Sequence, residues 1–315
     1  QAEDGIRDRS PSRGLGDVYK RQPIKQLDIS AKQNTIKGKF NEGRLMIRQS
    51  FCLLGCLILS THVYAHEFWI SPVNFQIKPQ SPIAAHFRVG RNFNGSSHSY
   101  LSRNTTRHEI YHAGKIIAAP AREGDRPGFQ YQGLPNCLAI FVHETTYNPI
   151  TYQTFNKFTA FTAHKDFSGL PEAHRARGLP EVGFVENYRR FAKSLVAVGD
   201  GTGQDFRVGL KIEIIALRNP YTNNPNGGMS LQVLLDGQPR QDVQVAVFDR
   251  QIGSKEPAKI ALYRTDTAGI TQFPLDAGRE YMVDNVALVA LQPTTDGDPV
   301  WRSLWANLTF AVPAD

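Results

Sequence analysis

The chain has nine histidines, and apart from His62 all of them lie between His66 and His174. Imidazole nitrogen suits divalent nickel, cobalt and copper, provided the ring is neutral. Any histidine metal site therefore belongs to the front of the chain. No H-E-x-x-H spacing occurs, because His66-Glu67 and His143-Glu144 each lack a second histidine. The sharpest candidate is His66. If it were the first residue of a processed chain, its free amine and imidazole could chelate one ion together. His143 ranks next because it ends an apolar run, 137–142. His86 follows on a polar strand face. His108 and His112 follow that, and could share an ion only if their strand bends. Glu67 or Glu144 would then orient an imidazole from behind.

What would make His66 a first residue is the stretch 46–65. Arg48 supplies a positive start, 51–59 a short apolar core, and Val63-Tyr64-Ala65 compact residues before a cut. This reads as a secretory signal cleaved after Ala65, giving a periplasmic protein. A spanning helix needs about 20 apolar residues, so the stretch is too short for an anchor and the processed chain should not span a membrane. Residues 1–45 are polar, without apolar periodicity. They read as sequence outside the native protein and are set aside in reasoning about the fold.

Setting them aside changes the charge argument. The chain carries 36 Lys+Arg and 29 Asp+Glu, net +7. Residues 1–65 hold 11 of the basic and 6 of the acidic groups, which leaves 25 and 23 for 66–315. The remaining charge is too balanced to call for nucleic acid, and no nucleic-acid motif appears. Of three cysteines, Cys52 and Cys56 fall in the signal. Cys137 alone remains, which excludes an internal disulfide and any cysteine-based zinc or redox motif.

The elements that must position the histidines are mostly strands. Ile83, Ala85, Phe87 and Val89 alternate with polar or small residues, 107–112 puts His108, Ile110 and His112 on one face, and 137–142 is apolar on both faces. The period then changes. Phe155, Phe158 and Phe161, and later Val185, Tyr188, Ala192 and Leu195, recur at helical spacing. The spacing predicts a helical insertion over 154–198 in a β-rich domain, 66–218. Residues 206–217 return to alternation, with Val208, Leu210, Ile212 and Ile214 on one face. A Pro/Asn/Gly-rich linker, 219–228, precedes short strands with regular turns over 229–315, the pattern of a β-sandwich. The predicted class is mainly β: a β-rich N-terminal domain with a helical insert, then an immunoglobulin- or transthyretin-like sandwich.

The last segment, with Leu235-Asp-Gly-Gln-Pro239, Val243, Thr265-Asp266-x-x-Gly269 and Tyr281, resembles the transthyretin-like sandwich. Four features together resemble one bacterial family of unknown function over essentially all of 66–315. These are His66-Glu-Phe-Trp-Ile70, the segment Glu186-x-Tyr188-x-Arg190-x-Ala192-Lys193 read as helix, the Thr265 turn, and Trp301-x-Ser303-x-Trp305-Ala306-x-Leu308-Thr309-Phe310. Members are described as periplasmic components of cobalt/nickel transport, similar to a nickel-uptake substrate-specific (NikM-like) region. Pro299-Val300 stands where that pattern has an acidic residue.

The resemblance implies a periplasmic, metal-related protein; taken with the histidines, the expectation is an extracytoplasmic protein that binds or delivers nickel, cobalt or copper for an uptake system, with a permease or outer-membrane receptor as partner. The alternative is a carbohydrate- or protein-binding sandwich without metal, using Trp69, Tyr100 and Tyr147 as stacking faces. Serine, histidine and aspartate are present without a G-x-S-x-G or another nucleophile context, so no enzymatic activity is expected.

Overall fold

The structure, a computed structural model, describes residues 66–314. The signal segment 46–65, its cut after Ala65, and residues 1–45 lie outside them. The chain begins with β1 (Glu67–Pro72), β2 (Gln76–Ile77), β3 (Pro82–Arg91) and β4 (Asn94–His98). Next come β5 (Thr105–His112), β6 (Lys115–Ala118), β7 (Phe129–Gln132), β8 (Cys137–Thr145) and β9 (Asn148–Thr151). Two helices follow, α1 (Phe155–His164) and α2 (Leu170–Ala176), before β10 (Val185–Val198) and β11 (Ile212–Ala216). The remainder is β12 (Met229–Leu235), β13 (Gln238–Pro239), β14 (Gln244–Gln251), β15 (Lys259–Arg264), β16 (Ile270–Phe273), β17 (Arg279–Ala290) and β18 (Pro299–Val312).

The protein is mainly β, as expected. Its backbone is a ten-stranded sheet in the order β15-β14-β17-β18-β10-β8-β5-β6, with β2 and β9 pairing onto β10. This one sheet takes strands from both sides of the 219–228 linker, so that linker does not separate two sheets. A small sheet of β1, β3, β4 and β7 packs against one face, and β11, β12, β13 and β16 form another sheet against the opposite face.

The helical insertion is half correct. Helices α1 and α2 form, and Phe155, Phe158 and Phe161 pack on Trp301 and Trp305. Residues 185–198, however, are the long strand β10 at the heart of the sheet. It runs parallel to β18, with Glu186 opposite Trp301 and Arg190 opposite Trp305, and antiparallel to β8. The reason is burial on two sides. Phe191 and Leu195 enter one core, while Ala192, Val196 and Val198 enter another. A segment apolar on both faces fits helical and strand periods equally well, and tertiary pairing decides. The expected strand over 206–217 shrinks to Ile212–Ala216, although Leu210, Ile212 and Ile214 do share one core.

Two buried lysines tie the layers. Lys193 Nζ lies 2.7 Å from Asp205 and 3.2 Å from Glu213. The Glu213 carboxylate also accepts the backbone N–H groups of Val208, Gly209 and Leu210, which fixes the irregular run before β11. Lys165, just past α1, lies 2.8 Å from Asp284 and 3.6 Å from Glu67. Trp301 Nε1 donates to His174 Nδ1 at 3.0 Å, and His174 Nε2 pairs with the Pro180 carbonyl at 3.0 Å, so a neutral imidazole pins α2 to β18.

Removing one partner of a buried ion pair strands the other. Lys193→Met is expected to destabilise the chain by about 3–5 kcal/mol in urea unfolding. A loss below about 1 kcal/mol would show that the Asp205 and Glu213 carboxylates do not depend on this ammonium.

Candidate functional site

The site grows from the alternation of β10. Its residues Glu186, Tyr188, Arg190 and Ala192 face the layer made by the small sheet and the helices. Two cavities open there and share Tyr188 and Arg190 as a common wall. One, about 380 Å³, is lined by His66, Lys157, Glu186 and Trp305 among others. The other, about 320 Å³, reaches His98 and His143.

Of the predicted histidines, the structure brings His108 and His143 together. They are direct partners in the β5–β8 ladder, with ring centroids 5.5 Å apart and planes at 86°. Both are buried among aromatic rings: His143 lies 4.1 Å from Phe87, and His108 lies 3.9 Å from Phe129. Among the described residues, both nitrogens of His108 and Nδ1 of His143 have no hydrogen-bond partner. The Gly128 backbone favours the charged His108 ring electrostatically but makes no well-formed bond with it. Burial lowers the His108 pKa to about 4 and holds His143 well below its ordinary value, with the neighbouring His108 charge adding to the effect. Both rings are therefore neutral near pH 7, the state a metal ligand requires.

The other candidates lie elsewhere. His112 is four residues beyond His108 on an unbent strand, on the order of 13 Å away, so the two cannot share an ion. Among the described residues its two ring nitrogens are also buried without a well-formed bond, although the Leu138 and Pro135 backbone favours the charged ring. His86 Nδ1 is hydrogen-bonded to Ser97 Oγ at 2.9 Å, in a different cavity beside Arg88 and Arg250. His66 is exposed at the mouth of the larger cavity, where its carbonyl accepts a long 3.4 Å bond from Arg190. Neither predicted carboxylate orients an imidazole. Glu67 is committed to Lys165, and Glu144 to Arg189 at 2.8 Å, with Arg107 at 4.0 Å. Side chains alternate along a strand, which turns Glu144 away from the face of His143.

The metal implied by the family resemblance finds a partial fit. Two metal–nitrogen bonds of about 2.0 Å each, plus the reach from each nitrogen to its ring centre, cover a 5.5 Å centroid separation. Among the described residues no group of three or more His, Cys, Asp or Glu side chains is placed to hold an ion. The chain thus offers two imidazoles, not a closed shell.

Sequence reasoning missed the residues at the base of the larger cavity. Glu186 is buried and forms no ion pair among the described residues. It accepts hydrogen bonds from the Tyr152 hydroxyl at 2.8 Å and from Ser303, whose Oγ accepts from Trp305 Nε1 at 2.8 Å. Burial raises its pKa, against the pull of those two hydroxyls. The signal was present: Glu186, Tyr188, Arg190 and Ala192 stand two apart, the period of a strand.

No helix among the described residues is long and apolar enough to cross a membrane. The family model described as "Domain of unknown function (DUF4198)" matches residues 63–287. No curated protein matches the chain. Among solved structures, similarity is found to a tetra-tandem repeat in the extending region of a large adhesion protein, at 9% identity and TM-score 0.20, covering 78% of this chain and 49% of that one. The chain thus spans about half the length of that structure. A DUF3823 family protein from Bacteroides uniformis ATCC 8492 is similar at 10% identity and TM-score 0.19, covering 79% of this chain and 100% of that one. A Salmonella alpha-2-macroglobulin mutant is similar at 11% identity and TM-score 0.18, covering 80% and 15%.

The neutral histidine pair has a pH signature. Both folded pKa values lie below the ordinary 6.5. Between about 4 and 6.5 the unfolded chain takes up protons that the folded chain refuses. Stability from these rings is therefore complete above 6.5 and falls as pH drops through that window, by roughly 1.4 kcal/mol per pH unit per ring. His143→Phe should flatten the fall in urea midpoint between pH 7 and 5. An unchanged slope would mean that the buried ring is not held neutral.

Proposed function

The chain belongs to the DUF4198 family, a domain of unknown function, and from that premise we propose that it is an extracytoplasmic protein that binds a transition metal, nickel, cobalt or copper, and delivers it to an uptake system. The observation that carries this reading is the cross-strand pair His108–His143, buried and neutral, with three ring nitrogens lacking any partner. Buried polar groups without partners cost free energy, and an ion taken up between them would remove that cost. Imidazole nitrogens suit these borderline ions, and soft sulfur ligands are not called for. The two rings would hold the ion, and donors from outside the pair would complete its shell. The cavity that reaches His143 gives such donors a route. Export and a permease or outer-membrane partner belong to the same proposal, supported by the signal-like segment and the family resemblance.

The test is metal retention. Chain beginning at His66 is loaded with equimolar nickel, cobalt, copper and zinc, dialysed, and assayed by plasma mass spectrometry. About one retained ion per chain is expected, lost in His108→Phe and His143→Phe and kept in His112→Ala. Retention of no ion, or retention that ignores both pair variants, would contradict the reading.

A further inference from the structure

The larger cavity contains chemistry that a histidine metal pair does not use. Arg190 forms part of its wall, and its guanidinium lies over the Tyr188 ring at 4.8 Å and the Phe68 ring at 5.5 Å. Those rings hold the planar fork in place. Among the described residues the fork makes one long hydrogen bond, to the His66 carbonyl at 3.4 Å, and no ion pair within 4.0 Å. Tyr188, Glu67 and Asp284 favour its charge, and Lys165 lies 3.6 Å from Glu67 and 2.8 Å from Asp284. Burial is strong enough to lower the guanidinium's pKa. A desolvated, pre-oriented fork with open donors is the arrangement that recognises a carboxylate through two parallel hydrogen bonds.

The rest of the cavity fits the same ligand. Lys157 adds an exposed ammonium at its edge. Trp305 and Phe161, stacked at 5.6 Å and 18°, together with Ile150 and Tyr188, supply a flat apolar lining. The volume of about 380 Å³ falls within the range of small-molecule sites. The one carboxyl in the lining, Glu186, would oppose an anion if charged. Burial favours its neutral form, and hydroxyls rather than cations surround it.

We propose that this cavity binds a small organic carboxylate with a flat apolar body, held by the Arg190 fork and Lys157 and packed against Tyr188 and Trp305. The site is independent of the metal proposal, since none of these groups belongs to the histidine pair.

The test uses indole-3-propionate and its primary amide as probes, titrated by calorimetry into chain beginning at His66 and freed of metal by a chelator. The acid should bind at least about tenfold more tightly than the amide, as a charge-assisted pair requires. Arg190→Lys keeps the charge balance with Glu67 and Asp284 but loses the fork, and should weaken the acid about tenfold while leaving the amide alone. Lys157→Gln, at an exposed position, should weaken the acid by a smaller factor. Equal binding of acid and amide, binding of neither, or tight inorganic phosphate binding without binding of the acid would overturn the proposal. The acid–amide comparison needs no variant, so an Arg190 variant that failed to fold would not protect the idea.

Discussion

Strand β10 pairs in parallel with β18 and β2 and antiparallel with β8 and β9, and its side chains alternate between two cores. Phe191 and Leu195 pack toward the sheet of β11 and β12, while Ala192, Val196 and Val198 pack toward the sheet of β1 and β3. Both small sheets therefore depend on one strand for their position. The same alternation puts Glu186, Tyr188 and Arg190 in a row facing the start of β1 and helix α1. Lost pairing of β10 with β18 would separate the aromatic layer of Trp301 and Trp305 from the cavity wall. A parallel pair needs a long connection, which here is supplied by β11 to β17.

Charge placement keeps this arrangement in register. Lys193 draws in Asp205 and Glu213 on one face, and Lys165 draws in Asp284 and Glu67 on the other. Buried pairs of this kind add little net stability over apolar packing, but they penalise wrong arrangements because a stranded charge is costly. They also explain why Arg190 and Glu186 stand out. Glu186 is buried and Arg190 half-buried, and among the described residues neither has an opposite charge within ion-pair distance. The unpartnered rings of His108 and His143 are a third group of this kind, next to the same wall. The Arg190 fork and the rings of His108 and His143 leave hydrogen-bonding capacity open around Tyr188 and Arg190, one of several such places among the described residues.

Much of the architecture was legible in the residues. Apolar runs on both faces marked β8 as central, and His143 at its end fell next to His108 because antiparallel pairing set them opposite each other. The clustering of histidines before His174 pointed to the half that holds the His108–His143 pair. What failed was the period over 185–198. Val185, Tyr188, Ala192 and Leu195 satisfy helical spacing, yet Glu186, Tyr188, Arg190 and Ala192 satisfy a strand equally well, and only the partner β18, more than a hundred residues on, decides. Reading that segment as helix also hid Glu186 and Arg190 as cavity residues. Glu67 and Glu144 misled for a related reason. Adjacency to a histidine in sequence says nothing in a strand, where neighbours point to opposite faces and find their own cations.

The central claim is that His108 and His143 share one ion. The most direct check is long-range proton–nitrogen NMR of the histidine rings before and after one equivalent of zinc, a diamagnetic stand-in for the ions of interest. The account predicts that ring nitrogens of His108 and His143 shift together while those of His86, His112 and His174 stay in place. A spectrum in which the pair does not move, or in which only His66 responds, would contradict it.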